Sequence, residues 1–450
     1  MSLEENRVQQ KLSFSFVQVI CIAFLLGACA GKAPLKGAVA DMGRFPQDLQ
    51  FYAQMAGPDR PLLTAEEQRE QYARFQQRYF APWRMKKTSI KKRDISPLFG
   101  KARGYRLNAV RWTQKEWEQM GRNADLAAFP NRAQHAITLR NTDLREMPTH
   151  LPRFTEPVSR PADNPFDYFQ YSRLPVGTPL LIAHISRDGR WYFVECAVAA
   201  GWVDAQDVAP ADSGFQAIWQ SGAFAALVRD GILMSSAGSE EKLQGHIGAV
   251  LPLRGQDEQG FWRVLLPARA IDGMARAVES RIAMTDAAPQ PIPMTARRVA
   301  ELGNIMMGQP YGWGGMLDRR DCSALTRDLM APFGVWLPRN SSAQARQGTV
   351  VRLEGMSVSQ KEDAILKQGV PFLSLVGMRG HITLYVGAYD GRPALYHNVW
   401  GVRVIDGADD NARFVIGRTV VTSVTPGVEL RNLYRSTTFA DRLLTLTTPR

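Results

Sequence analysis

The spacing of apolar positions changes several times along this chain, and each change predicts a different kind of element. The first is an apolar run from Phe14 to Ala28, broken only by Ser15 and Gln18. It is about 15 residues long, short of the roughly 20 that a helix needs to cross a bilayer. Residues 47 to 127 then read as mostly helical. Leu62 to Phe80 begins with Thr64 and Glu67 in the arrangement of a capping box, and Trp112 to Leu126 is a second helix. From about Pro130 to Met284, short apolar runs alternate with turn residues. Leu180 to Ser186 and Trp191 to Ala197 flank an Asp-Gly turn and predict a β-hairpin. A similar order returns between Ile232 and Leu266, which predicts two small barrels of five to six strands each. The stretch 287–293 is rich in proline and reads as a linker. About 160 residues remain after it, enough for one core.

The first run is an address rather than a structure. Arg7 and Lys11 precede it, and Leu26-Gly27-Ala28-Cys29 ends it in the manner of a bacterial lipobox. Cleavage would make Cys29 the lipid-carrying N-terminus, holding the protein on a membrane surface without spanning it. Ala30 after it resembles lipoproteins sent to the outer membrane, so the expected location is the periplasm-facing surface of that membrane. Of four cysteines, only Cys196 and Cys322 would then keep a free thiol, which excludes a disulfide scaffold. Cys196 lies in a predicted strand and reads as a buried structural thiol. The net charge of +12 suits an exported protein that meets anionic wall polymer or lipid headgroups, since its arginines are dispersed rather than clustered as a nucleic-acid site would have them.

Chemistry concentrates in the last segment. Thr295 to Met306 reads as a helix, and the chain then passes through Tyr311-Gly312-Trp313-Gly314-Gly315 to Asp321-Cys322-Ser323. Leu325, Leu329, Met330 and Phe333 follow at helical spacing, so Cys322 opens a helix. A helix N-terminus favours thiolate, the nucleophilic form. The partner imidazole comes from six histidines, of which His381 and His397 lie on two successive predicted strands. A three-residue loop at Tyr389-Asp390-Gly391 would set 383 opposite 397 and bring both rings to one face, roughly 7 to 8 Å apart. His397 could then orient His381 as the third member of a triad. A two-residue loop would put them on opposite faces. His135, His150, His184 and His246 suit surface or turn roles, and no pair has metal-ligand spacing on one element, so neither metal nor other cofactor is implied.

Tyr311-x-Trp313-Gly314-Gly315, Asp321-Cys322-Ser323, Leu337-Pro338-Arg339-Asn340-Ser341-Ser342-x-Gln344, Gly380-His381-Ile382 and His397 together resemble the NlpC-type, papain-like cell-wall cysteine peptidases. Gly-Thr-Pro-Leu at 177–180 and Gly201-Trp202-Val203 resemble bacterial SH3 domains. The resemblance implies an α+β multidomain chain. Its parts are a signal peptide (1–28), a tether (29–46), a helical stabilising segment (47–140), two SH3 barrels (141–212 and 213–286), a linker (287–294) and a papain-like catalytic domain (295–450). It further implies a γ-D-glutamyl-L-diamino acid endopeptidase acting on L-Ala-γ-D-Glu-diaminopimelate, with Cys322, His381 and His397 as triad and Tyr311 lining the oxyanion site. Asp321, Ser323 and Ser341 would hold the free amine of the substrate's L-alanine, with Trp313 also in the binding site. Asn340 stands where the family commonly has aspartate, which weakens its share in amine recognition. The first barrel would close the cleft against glycan-linked chains, with Asp167 and Trp202 as candidates for that wall.

Two other classes compete: a non-catalytic wall-binding lipoprotein, and a related thiol amidase or acyltransferase. The intact Cys-His-His set favours the peptidase. Peptidoglycan stem peptides and, through Cys29, a membrane are the expected partners, with no nucleic acid, and a monomer is the expected state. Whether intact wall or recycled murein peptides serve as substrate is not written in the chain.

Overall fold

The computed structural model describes residues 35–160, 164–235, 242–407, 412–436 and 438–450. The segment read as a signal peptide, and Cys29 with it, therefore lie outside the described residues. Among the described residues no helix is long and apolar enough to cross a membrane.

The N-terminal region contributes three main helices: α1 (Leu49–Ala56), α2 (Ala65–Tyr79) and α3 (Gln114–Ala124). Thr64 caps α2, with its hydroxyl accepting from Glu67 N–H while the Glu67 carboxylate accepts from Thr64 N–H. These helices are not an independent unit. Leu49, Tyr52 and Ala53 of α1 enter the same core as Val299, Phe333 and Tyr396 from the last third of the chain. Lacking enough apolar surface for a core of their own, they complete another.

A seven-stranded sheet follows, of β1 (Gln134–Thr138), β2 (Thr142–Arg145), β3 (Gln170–Leu174), β4 (Pro179–Ile185), β5 (Trp191–Cys196), β6 (Ala200–Asp204) and β7 (Val208–Pro210). Its order is β3-β2-β6-β5-β4-β1-β7. The barrel thus begins at Gln134, inside the segment expected to be helical up to 140. Ala136 and Ile137 are fully buried and β1 pairs with both β4 and β7, so this short run is needed to join them.

The second β region holds β8 (Phe224–Leu227), β9 (Ile232–Met234), β10 (Leu243–Gly245), β11 (Val250–Gln256), β12 (Phe261–Arg269), β13 (Ala275–Ala283) and β14 (Ala287–Gln290). The strand β14 corrects the linker reading, because it pairs along its length with β8. It lies at the edge of the order β13-β12-β11-β8-β14, and an edge strand tolerates a proline such as Pro289 because one of its sides needs no ladder. The chain then stays clasped: the Gln290 side chain donates to Ala331 O at 2.6 Å, and Ile292 N–H donates to Pro332 O at 3.0 Å.

The last domain packs helices α4 (Ala296–Met306), α5 (Cys322–Met330) and the single turn α6 (Ser341–Gln344) against a six-stranded sheet. Its strands are β15 (Thr349–Arg352), β16 (Leu375–Met378), β17 (His381–Tyr389), β18 (Arg392–Arg403), β19 (Arg413–Thr422) and β20 (Leu443–Thr448), in the order β15-β20-β16-β17-β18-β19. The start of α5 meets the start of β17, and the site forms there.

Candidate active site

Cys322 is the first residue of α5. Asp321 caps that helix, accepting from Ala324 N–H at 2.8 Å. The sulfur accepts from the backbone amides of Ile382 and Ser323, but burial, and next the Asp321 carboxylate, push the thiol up to about 12. The expected preference of a helix start for thiolate is therefore outweighed here: desolvation of a buried anion exceeds what a few amide dipoles return. The resting group is a neutral thiol, and among the described residues it forms no hydrogen bond to an imidazole.

The two histidines come together by a route the sequence did not suggest. The β17–β18 connection is a two-residue turn, with Tyr389 paired to Arg392 and with Asp390 and Gly391 at φ 50° and 71°. On its own that turn would set the histidines on opposite faces. A β-bulge between Tyr385 and Gly387 then shifts the register by one, so that Leu384 faces Tyr396. Residue 383 accordingly lies opposite His397, as a three-residue loop would have placed it. Gly387 adopts φ 134°, a conformation open to glycine, at the bulge.

His381 Nε2 lies 2.8 Å from His397 Nδ1, and His397 Nε2 lies 3.1 Å from Thr422 Oγ1. The Thr422 hydroxyl donates to Ser423 O at 2.9 Å, which fixes the direction of the whole chain. Thr422 must accept from His397 Nε2–H, so His397 Nδ1 accepts from His381 Nε2–H, and His381 Nδ1 keeps its lone pair. Phe439 covers both rings, with centroids 5.7 and 5.5 Å away. Thr422 and Phe439 carried no signal in the sequence, since neither belongs to a recognisable motif.

Burial, and then the Arg442 charge, lower His381 to about 3; burial, and then His381, hold His397 well below the usual histidine value. Both rings are neutral in the folded protein down to acid pH, whereas the unfolded chain protonates its histidines near 6.5. The unfolded state then binds more protons, so stability falls as pH drops from about 6.5 toward 3. A melting-temperature series from pH 7 to 4 should slope less steeply for His381→Gln than for the native chain; equal slopes would refute the burial argument.

The residues expected to hold substrate fall into two groups. Tyr311 and Trp313 face an aromatic wall supplied by the first barrel. Phe166 lies 6.1 Å from Tyr311, 5.2 Å from Trp313 and 5.9 Å from Trp400, and Tyr168 lies 5.9 Å from Trp313. The Trp313 indole N–H is buried without a partner. Asp321 and Ser323 are engaged elsewhere. Both Asp321 oxygens accept from Arg339, at 3.2 and 2.6 Å, and also from Gly314 N–H, Ala324 N–H and the Ser323 hydroxyl. The Arg339 guanidinium further donates to Ser323 Oγ and to Ser172 Oγ of the first barrel. Asp321 is thus a buried anion already paired with Arg339, a partner that its expected role toward a substrate amine did not include. Asn340 is exposed and caps α6, accepting from Ala343 N–H and the Ser342 hydroxyl; Ser341 is the first residue of that turn and half-buried.

Asp167 and Trp202 do not line the cleft. Asp167 is 2% exposed and is spent on Arg145 and on the amides of Arg153 and Phe169. Trp202 is fully buried against Phe193 and His184. The wall is built by the neighbours of Asp167, whose rings point the other way. His184 is likewise a core residue, its Nε2 meeting Ala124 O at 2.8 Å, and not the surface or turn residue expected.

Residues 308–405 match the sequence profile of the NlpC/P60 family, 152–204 that of an SH3 domain of the SH3b1 type, and 18–129 that of the N-terminal NLPC_P60 stabilising domain. Residues 308–405 are thus an NlpC/P60 domain. The chain is 31% identical over 147 residues to a Bacillus cereus protein named gamma-D-glutamyl-L-lysine dipeptidyl-peptidase, covering 30% of this chain and 38% of that one. It is 36% identical over 78 residues to a Corynebacterium glutamicum protein named as an endopeptidase, covering 17% of this chain and 36% of the other. The chain thus spans well under half the length of these relatives. An NlpC/P60 endopeptidase structure from Photobacterium damselae subsp. piscicida superposes with TM-score 0.80 at 22% identity, over 93% of this chain and 100% of its own. A Bacillus cereus family member gives TM-score 0.50 at 17% identity, over 70% and 99%. These two likenesses establish the fold.

Proposed function

We propose that the protein is a cysteine endopeptidase that hydrolyses the γ-D-Glu–diaminopimelate bond of stem peptides bearing a free N-terminal L-alanine. The observation that supports it most is the imidazole chain, which leaves the His381 Nδ1 lone pair as the base of a buried site at whose helix start Cys322 stands. The neutral thiol transfers its proton to His381 as sulfur attacks the γ-carbonyl, and His381 then returns a proton to the departing amine. Water hydrolyses the resulting thioester by the same base. His397 orients His381 and keeps its tautomer, the role of a third triad member. Tyr311, whose ring oxygen feels the Cys322 charge, is in this reading the group that lines the oxyanion site.

The first barrel shapes the substrate. Phe166 and Tyr168 stand against Tyr311 and Trp313, which suits a short peptide with a free end better than one continuing into glycan. With Asp321 neutralised by Arg339, the L-alanine ammonium in this reading meets aromatic faces, which attract cations through their quadrupole. The lipobox reading of the first residues would place the enzyme on the periplasm-facing surface of a membrane, where released wall peptides pass.

Incubating the protein with L-Ala-γ-D-Glu-diaminopimelate should release free diaminopimelate and L-Ala-γ-D-Glu, separable by chromatography. No release would overturn the assignment, and equal cleavage of the N-acetylated tripeptide would overturn its free-amine requirement.

A further inference from the structure

The proposed mechanism uses the thiol side of His381 and leaves its other flank unexplained. Met378 pairs with His381 on one side and with Leu443 on the other, so Arg379 and Arg442, the next residues along, lie at the His381 end of these strands, and the Arg442 charge acts on the imidazole. The Arg442 guanidinium donates to Arg379 O at 2.6 Å. Arg379 is exposed and Arg442 half-buried, and Phe439, three residues before Arg442, is the ring that covers both imidazoles. Among the described residues, burial and then the charges of Arg379 and Arg403, both repelling Arg442, lower its pKa. A fold that holds like charges together at the edge of a reactive site has an anion to gain there.

Chemistry says which anion. His381 delivers its proton to the leaving amine, so that nitrogen must sit at the imidazole. In a γ-D-Glu–diamino acid bond, the carbon bearing that amine also bears the α-carboxylate, two bonds from the nitrogen. We infer that Arg379 and Arg442 form a carboxylate-binding site on the leaving-group side of Cys322, which takes the α-carboxylate of the residue whose amine departs. The inference rests on the proposed bond specificity and adds to it: peptides that end at the diamino acid are preferred over those extended or amidated there. A bound carboxylate would also offset the Arg442 charge that opposes protonation of His381, so this substrate group favours the proton transfer that its own departure requires.

The test compares L-Ala-γ-D-Glu-diaminopimelate with the same tripeptide amidated at that α-carboxylate. Native protein should cleave the free acid with a kcat/KM about 10- to 100-fold above the amide, the factor expected of charge-assisted hydrogen bonds. In Arg442→Gln, and in the exposed Arg379→Gln, whose folding is less at risk, the ratio should shrink toward about twofold, and Arg442→Lys should recover part of it. Equal cleavage of acid and amide by the native chain would overturn the carboxylate site alone. Cleavage of neither would overturn the bond assignment together with it. A ratio that persists in the Arg379→Gln and Arg442→Gln variants would show that other residues recognise the carboxylate.

Discussion

Cys322→Ala should abolish peptide cleavage, with kcat falling at least ~10⁴-fold while the melting temperature stays near the native value. Sulfur is the atom that bonds to the substrate carbonyl, and no other described thiol can stand in. Cys196, the second free cysteine, is buried with its thiol donating to Ala199 O at 3.0 Å, and burial raises its pKa. Serine at 322 should do little better than alanine, because a hydroxyl is harder to deprotonate than the thiol and His381 is a weak base. Residual turnover above about 1% in either variant, measured by diaminopimelate release, would remove Cys322 from the mechanism.

Arg339→Met should cost stability on the order of 3–5 kcal/mol and reduce activity as well. The substitution keeps much of the side-chain volume but strips the buried Asp321 carboxylate of its cation. It also removes the donor that reaches Ser172 of the first barrel and one of the charges that draw the thiol pKa down. Urea unfolding measures the first effect and kcat/KM the second. A loss under about 1 kcal/mol would mean that Asp321 finds water or another donor. Restoring stability with Asp321→Asn in the Arg339→Met background would identify the stranded charge as the cause.

Much of this architecture was legible because the signals were local. Thr64 with Glu67 marked a helix start, and Cys322 followed by Leu325, Leu329 and Met330 marked another. The errors came where a distant contact decides. The prolines of 287–293 argued for a linker, yet β8 recruits the start of that segment as an edge strand. The cap that Asp321 gives its helix was local, but nothing local showed that Arg339, eighteen positions later, pairs with it. For the cleft wall the sequence offers Asp167 and Trp202, yet both are buried, and the rings beside Tyr311 and Trp313 are Phe166 and Tyr168, on a segment outside any strand with no period to fix which side chain faces where. The pairing of His397 was obtained from the wrong turn: the two-residue loop and the bulge are each a one-residue error in opposite directions, and they cancel.

The clasp at β14 has an evolutionary corollary. Because the strand that finishes the second β region passes straight into contacts with Ala331 and Pro332, and the first barrel is pinned to the catalytic loop through Ser172 and Arg339, these modules cannot be shuffled as interchangeable cassettes. New preferences in this lineage would have to arise by single changes on surfaces already in contact, such as the ring at position 166, rather than by swapping one binding module for another.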